Sequence, residues 1–271
     1  MRWPYNALMK ILLKVQYIGT AYCGFQCQKN GSSIQEVLTQ AAERVFGRPC
    51  SVTGCSRTDA GVHALGYVCA VSPAIGETVD WCRIPVPKIH RAFAPFLPPD
   101  ISVCAAAEAE DTFHPRYDAV EKEYVYRIWD APYATPFLKD RSYHSIRRIT
   151  PEGLDCMQTA AAAYIGKQDF RAFMAGGTAD KDTVRTVMRA WVERQTDGMI
   201  QFSVAADGFL YNMVRIMTGT LLDVAAGRIL PQDISEILSC GDRSRAGFTA
   251  PPDGLYLRQV WYPSKISWQC E

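Results

Sequence analysis

The side chains with the most chemistry for their spacing lie in one run, Thr53-Gly54-Cys55-Ser56-Arg57-Thr58-Asp59-Ala60-Gly61-Val62-His63-Ala64-Leu65-Gly66. An acid, a guanidinium, an imidazole and three glycines fall together there, and the apolar positions follow neither a helical nor a strand period. Such a run reads as a shaped loop between strands. The plain alternative is a turn with an Arg57/Asp59 surface pair, which contributes at most about 1 kcal/mol, and a turn needs only one or two glycines. An Asp-Ala-Gly run suggests an aspartic-protease loop, but that chemistry needs two carboxylates sharing a proton, each in its own copy of the loop. The chain has no second copy. One aspartate beside an arginine stays ionised at neutral pH, which suits a nucleophile or a general base better than a general acid.

These residues resemble the signature Gly-Arg-Thr-Asp-Ala-Gly-Val-His-Ala of the TruA family of tRNA pseudouridine synthases, with Ser56 where that family usually has glycine. The resemblance implies that Asp59 is the catalytic residue. It continues through Ile18 to Gly31, where Tyr22, Phe25, Gln26 and Gln28 are similar to the family's Tyr-x-Gly-Trp-Gln-x-Gln, with Phe25 replacing the tryptophan. On their own these aromatics read as plugs of a minor core. Near the end, Ala250-Pro251-Pro252-Asp253-Gly254-Leu255-Tyr256-Leu257 has a close family counterpart, so the resemblance runs from about residue 10 to 262. Phe93-Ala94 departs from the family's Leu-Asn.

Two further residues acquire roles through it. Period two along Lys122 to Ile128 sets Tyr124, Tyr126 and Ile128 on one strand face. Tyr126 reads as core packing, whereas the first tyrosine of the pair is the family's substrate-contacting one, which implies that role for Tyr124. Phe209 to Ala226 is apolar nearly all round and reads as a buried helix whose only charge before Asp223 is Arg215. A buried arginine needs a carboxylate, and Asp223 lies more than two turns away along that helix. The resemblance implies a salt bridge from Arg215 to Asp59.

The elements that must position these residues follow from local patterns. Met9 to Tyr17 alternates Ile11, Leu13, Val15 and Tyr17 against Leu12, Lys14 and Gln16, which predicts a strand with one drier face. Ser33-Ile34-Gln35-Glu36 has capping-box spacing and opens a helix that Gly47 and Pro49 stop. Strands are expected at Tyr67 to Val71 and Ile101 to Ala107, with a short proline-bounded helix between, carrying Arg83, Lys88, His90 and Arg91. Thr150-Pro151 starts a helix as cap and first residue. A loop is expected at Ala175-Gly176-Gly177-Thr178, without the lysine-hydroxyl pair of a phosphate cradle. Asp197-Gly198 is a hairpin turn between Val184–Gln195 and Met199–Ala205, and Pro231 opens a small helix before a final strand to Tyr262.

Length and a 48% hydrophobic share are ample for two medium units. We expect residues 1–110 to form one half, carrying the aspartate loop, and 111–271 the other, carrying Tyr124 and Arg215. A net charge of +1 argues against indiscriminate polyanion binding but leaves room for a local basic groove. Lys139, Arg141, Arg147 and Arg148 form the densest cationic cluster, either a solvated loop or a phosphate contact. Ten cysteines without an N-terminal signal segment fit reduced thiols in a cytoplasmic protein, and no apolar run is long enough for a membrane span. Cys23/Cys27 and Cys50/Cys55 lack the two-residue spacing of a zinc site, so no metal is expected.

The expected fold is α+β, each half a mainly antiparallel sheet flanked by helices. The resemblance implies that the sheets join across a central RNA-binding cleft, that the substrate is a uridine in the anticodon arm of tRNA, that two chains form a homodimer, and that Arg57, Tyr124 and Arg215 bind substrate around Asp59. The isomerisation needs no cofactor. Two other readings stay open: a non-catalytic RNA-binding or RNA-chaperone module on the same fold, and a hydrolase built on Asp59 and His63.

Overall fold

The computed structural model describes residues 9–29, 31–74, 81–176 and 182–270. The loop expected at Ala175 to Thr178 falls partly outside them. Residues up to Val120, together with Leu257 onward, make one compact unit, and Glu121–Tyr256 make another. Both are mixed α+β.

In the first unit the order is β1 (Met9–Tyr17), α1 (Ile34–Phe46), β2 (Cys50–Gly54), β3 (His63–Pro73), α2 (Ile89–Phe93) and β4 (Ile101–Glu110). β1 pairs antiparallel with both β3 and β4, and β2 lies antiparallel on β3. The capping box forms, with the Glu36 N–H donating to the Ser33 hydroxyl at 3.2 Å, and Gly47 closes α1 in the left-handed conformation. The dry face expected of β1 is buried as its alternation predicts. Leu12, on the face expected to be wetter, is buried as well, because Phe113, Ile266 and Trp268 pack over the cluster of Leu12, Ala70 and Ala107. Periodicity within one strand cannot register a cover supplied by distant segments.

The second unit runs β5 (Glu121–Trp129), β6 (Tyr143–His144), α3 (Pro151–Ala162), β7 (Gly166–Asp169), β8 (Val184–Arg194), β9 (Ile200–Ala206), α4 (Met213–Ala225) and α5 (Asp233–Cys240); β10 (Leu255–Trp261) follows. Its strands order as β5-β9-β8-β7, antiparallel throughout, and β6 lies parallel to β5. The expected hairpin is β8–β9, turned at Gly198 with φ 85°. α3 packs on β8 and on α4. Helix α4 is buried on nearly every side, but it begins at Met213 rather than Phe209, because Asn212 before it takes a left-handed φ of 59°. Tyr126 is core, as expected: it is fully buried and its hydroxyl donates to the Pro251 carbonyl at 2.7 Å.

One ion pair pins the end of this sheet. Arg194, on β8, donates through both terminal nitrogens to the two carboxylate oxygens of Asp130 at 2.8 Å, and the Ile149 N–H reaches the same carboxylate at 2.9 Å. Burial alone pushes the Asp130 carboxyl up, but the Arg194 guanidinium and the Ile149 N–H outweigh it and hold the group below the usual carboxylate range.

Candidate active site

The Asp59 loop connects β2 to β3, and its backbone is anchored at each end. The Cys55 N–H donates to the Val68 carbonyl at 2.9 Å, continuing the β2–β3 ladder by one step. Tyr67, fully buried on β3, donates its hydroxyl to the Ser56 carbonyl and accepts the Ser56 N–H at 3.3 Å. Burial pushes that phenol well up, so it remains a donor at any physiological pH. Phe25 stacks on Tyr67 with centroids 4.3 Å apart, which makes it the plug that the residues alone suggest. A side chain at Gly54 is impossible here, since its Cβ would stand 2.1 Å from the Tyr67 hydroxyl and 2.3 Å from the Phe25 ring.

Closer to the acid, Thr58 is buried, sharing a 2.9 Å hydrogen bond with the Tyr17 hydroxyl and accepting the Phe25 N–H on its carbonyl at 3.2 Å. The Asp59 carbonyl accepts the Val62 N–H at 3.2 Å, closing a turn through Gly61 at φ 80°. Asp59 is half-buried, Arg57 exposed. The backbone on both sides of the carboxylate is therefore fixed by hydrogen bonds. His63 has another task. It is fully buried and its Nδ1 accepts the Gly19 N–H at 2.9 Å, so it holds the neighbouring loop and is not an exposed base. Arg57 borders a hollow of about 180 Å³ shared with Phe25, Gln26, His114, Arg116 and Tyr117.

In the second unit, Arg215 sits in the first turn of α4. Its Nε donates to the Ala250 carbonyl at 2.7 Å and its Nη1 to the Asn212 side-chain oxygen at 2.7 Å, while the Ala250 N–H donates back to the Arg215 carbonyl at 3.1 Å. These two acceptors, a backbone carbonyl and a side-chain amide, orient the guanidinium. The alternative partner on the same helix, Asp223, pairs instead with Arg228, whose Nε donates to it at 2.8 Å. The segment before β10 docks by close approach: a Cβ on Gly219 would fall 1.8 Å from the Phe248 carbonyl, and the Gly247 N–H donates to the Thr220 hydroxyl at 2.8 Å. Tyr124, on β5 opposite Val204, is 6% exposed and meets Phe209 edge to face at 5.1 Å. Lys139, Arg141, Arg147 and Arg148 are all exposed.

Arg57 and Asp59 thus share one loop, and Tyr124 and Arg215 belong to the other unit. Sequence reasoning missed the residues that aim them: Tyr67, Thr58, Asn212 and Ala250. An asparagine directly before a buried helix is a local signal of a left-handed residue; the Tyr67 and Ala250 contacts join distant positions and leave no local trace. Among the described residues no three His, Cys, Asp or Glu side chains gather as a metal site, and no helix is long and apolar enough to cross a membrane.

The family described as tRNA pseudouridine synthase matches residues 14–118 and 160–263, a range that holds Arg57, Asp59 and Arg215. The chain is 41% identical to tRNA pseudouridine synthase A of Ruminiclostridium cellulolyticum over 94% of its own length and 100% of that protein's. It is 40% identical to the protein of the same name from Thermoanaerobacter sp., and 39% to that of Geotalea daltonii, each over 94% of this chain and 100% of the relative. Identity near 40% over 94% of the chain leaves one conclusion, that this chain belongs to the TruA family of tRNA pseudouridine synthases.

Proposed function

We propose that Asp59 is the catalytic carboxylate of this tRNA pseudouridine synthase, that Arg215 is the cation held against it, and that Arg57 and Tyr124 displace and receive the target uridine. The reaction is an isomerisation. The glycosidic bond from N1 to the sugar breaks, a bond from C5 to the same sugar carbon forms, C5 loses its proton and N1 takes one up. Electrons and heavy atoms balance within the substrate, so the chemistry calls for no cofactor. The base has to leave the helical stack before any side chain can reach it, which gives Arg57 its place as a wedge and Tyr124 its place as a surface for the displaced ring. An ionised carboxylate serves as nucleophile or base, and a guanidinium held against it favours the ionised form.

The observation that carries this reading is the turn at Asp59, with backbone pinned at Thr58 and Val62 and the carboxylate half-buried beside an exposed arginine. Family membership supports the rest of the reading: the sheets of the two halves join at an RNA-binding cleft, the substrate is the anticodon arm, two chains share the work as a homodimer, and the enzyme acts in the cytoplasm. The test is a tRNA carrying tritium at C5 of uridine. Release of tritium by the wild-type protein and none by Asp59→Asn, with tRNA binding intact in both, is the expected result; equal release by the two proteins removes Asp59 from the mechanism.

A further inference from the structure

The hollow beside the Asp59 loop has a second wall that the catalytic reading does not use. Tyr117 stands there 76% exposed. It is not a slack surface side chain, because residues 114–118 form a closed turn. The His114 N–H donates to the Asp118 carboxylate at 2.9 Å and the Asp118 N–H to the His114 carbonyl at 3.0 Å. The His114 Nδ1 accepts the N–H groups of Arg116 and Tyr117 at 3.1 and 3.3 Å, so the other ring nitrogen is left as the donor. The His114 and Tyr117 rings lie 4.3 Å apart, and the Arg116 guanidinium lies 5.9 Å from the Tyr117 centroid. Backbone N–H groups and a carboxylate are committed to presenting one large aromatic ring to solvent.

An aromatic held outward between cations is the composition of a stacking platform for single-stranded nucleic acid. The cavity, about 180 Å³, is smaller than the ~300–1,000 Å³ typical of cofactor pockets, which suits one base or one phosphate. We propose that this hollow is a nucleotide subsite, in which a base adjoining the target uridine stacks on Tyr117 while Arg116 takes a neighbouring phosphate and Arg57, the wedge, borders the hollow. The inference rests on the tRNA reading of the Asp59 site. Pulling one base out of a helix strips its neighbour of a stacking partner, and a protein ring at that place restores it.

The experiment measures KM and kcat for tRNA, and separately the tRNA Kd, for wild type, Tyr117→Ala and Tyr117→Phe. Loss of one stacked base is expected to raise KM and Kd about tenfold or more in Tyr117→Ala, with kcat little changed and Tyr117→Phe close to wild type. A Tyr117→Ala protein that binds within twofold of wild type overturns the subsite, as does a Tyr117→Phe protein as weak as the alanine variant. The Kd readout does not depend on turnover, so a wild-type protein that bound tRNA without isomerising it would sink the catalytic assignment, while the Kd values of the two variants would still decide the role of Tyr117.

Discussion

Asp130 is paired in space with Arg194 and Asp59 lies two residues along the chain from Arg57, and the surroundings of the two aspartates differ. Asp130 is 4% exposed, and both of its carboxylate oxygens are taken by the guanidinium of Arg194, with the Ile149 N–H added to one of them. These contacts serve the fold. Around Asp59 the fixed points lie along the backbone: the Thr58 hydroxyl and carbonyl, the Asp59 carbonyl and the glycine turn, while the residue itself stays half-buried. The contacts at Asp130 fix the carboxylate through its oxygens, whereas those of the Asp59 loop fix the backbone that carries the side chain.

The comparison breaks first at Asp59. Asp59→Asn preserves size and hydrogen-bonding shape, and we expect product formation to fall on the order of 10³-fold or more with the unfolding midpoint near that of wild type. Residual activity of a few per cent would mean that the carboxylate is not the catalyst. Arg215→Met comes next, with an expected loss of about 10²-fold in kcat and a smaller effect on KM. If instead KM alone rises, Arg215 contacts RNA and does not act through Asp59.

Asp130 should behave in the opposite sense. Asp130→Ala strands the Arg194 guanidinium, and since Arg194 reaches solvent the cost should be about 2–4 kcal/mol, somewhat below that of a fully enclosed pair. Urea midpoints measure it, and turnover per folded molecule should not change. The pair also sets a pH dependence. Because the folded-state carboxyl titrates below its unfolded value, its contribution is complete above the ordinary aspartate range of about 4 and disappears as pH falls through the folded value. Asp130→Asn should flatten the acid limb of the stability curve, below about pH 5; a curve parallel to wild type would show that other carboxylates govern acid unfolding. The smallest effect belongs to Tyr67→Phe, which removes the buried hydroxyl from the Ser56 backbone. We expect about 1–2 kcal/mol of destabilisation and a several-fold drop in kcat, with tRNA affinity preserved. A kcat equal to wild type would show that the loop keeps its shape without that clamp.

The same contrast explains what is legible in the sequence. Asp59 sits in a dense local pattern, and a loop of that composition declares itself within a few residues. The caps of α1, the Asp197-Gly198 hairpin and the buried character of α4 are equally local. The Asp130–Arg194 pair joins residues 64 apart in sequence, in two unremarkable contexts. Leu12 escapes the alternation of β1 for a related reason: its cover comes from residues 113, 266 and 268. The start of α4 is hard to place because apolar content continues through Phe209 and Leu210 while the backbone, turned by Asn212, does not. Arg215 reads from sequence as a buried charge in need of company, but one of its acceptors, the Ala250 carbonyl, lies 35 residues away and only the folded chain brings it near.

The cover over Leu12 has a consequence for how the protein is made. The first unit includes Leu257 onward, so the ribosome has to finish all of Glu121–Tyr256 before the residues that complete it are synthesised. At elongation speeds of about 5–20 residues per second, that interval is on the order of ten seconds. Throughout it Leu12, Ala70 and Ala107 lack Ile266 and Trp268, and the nascent half that carries Asp59 shows an apolar sheet face to whatever holdase or neighbouring chain is at hand.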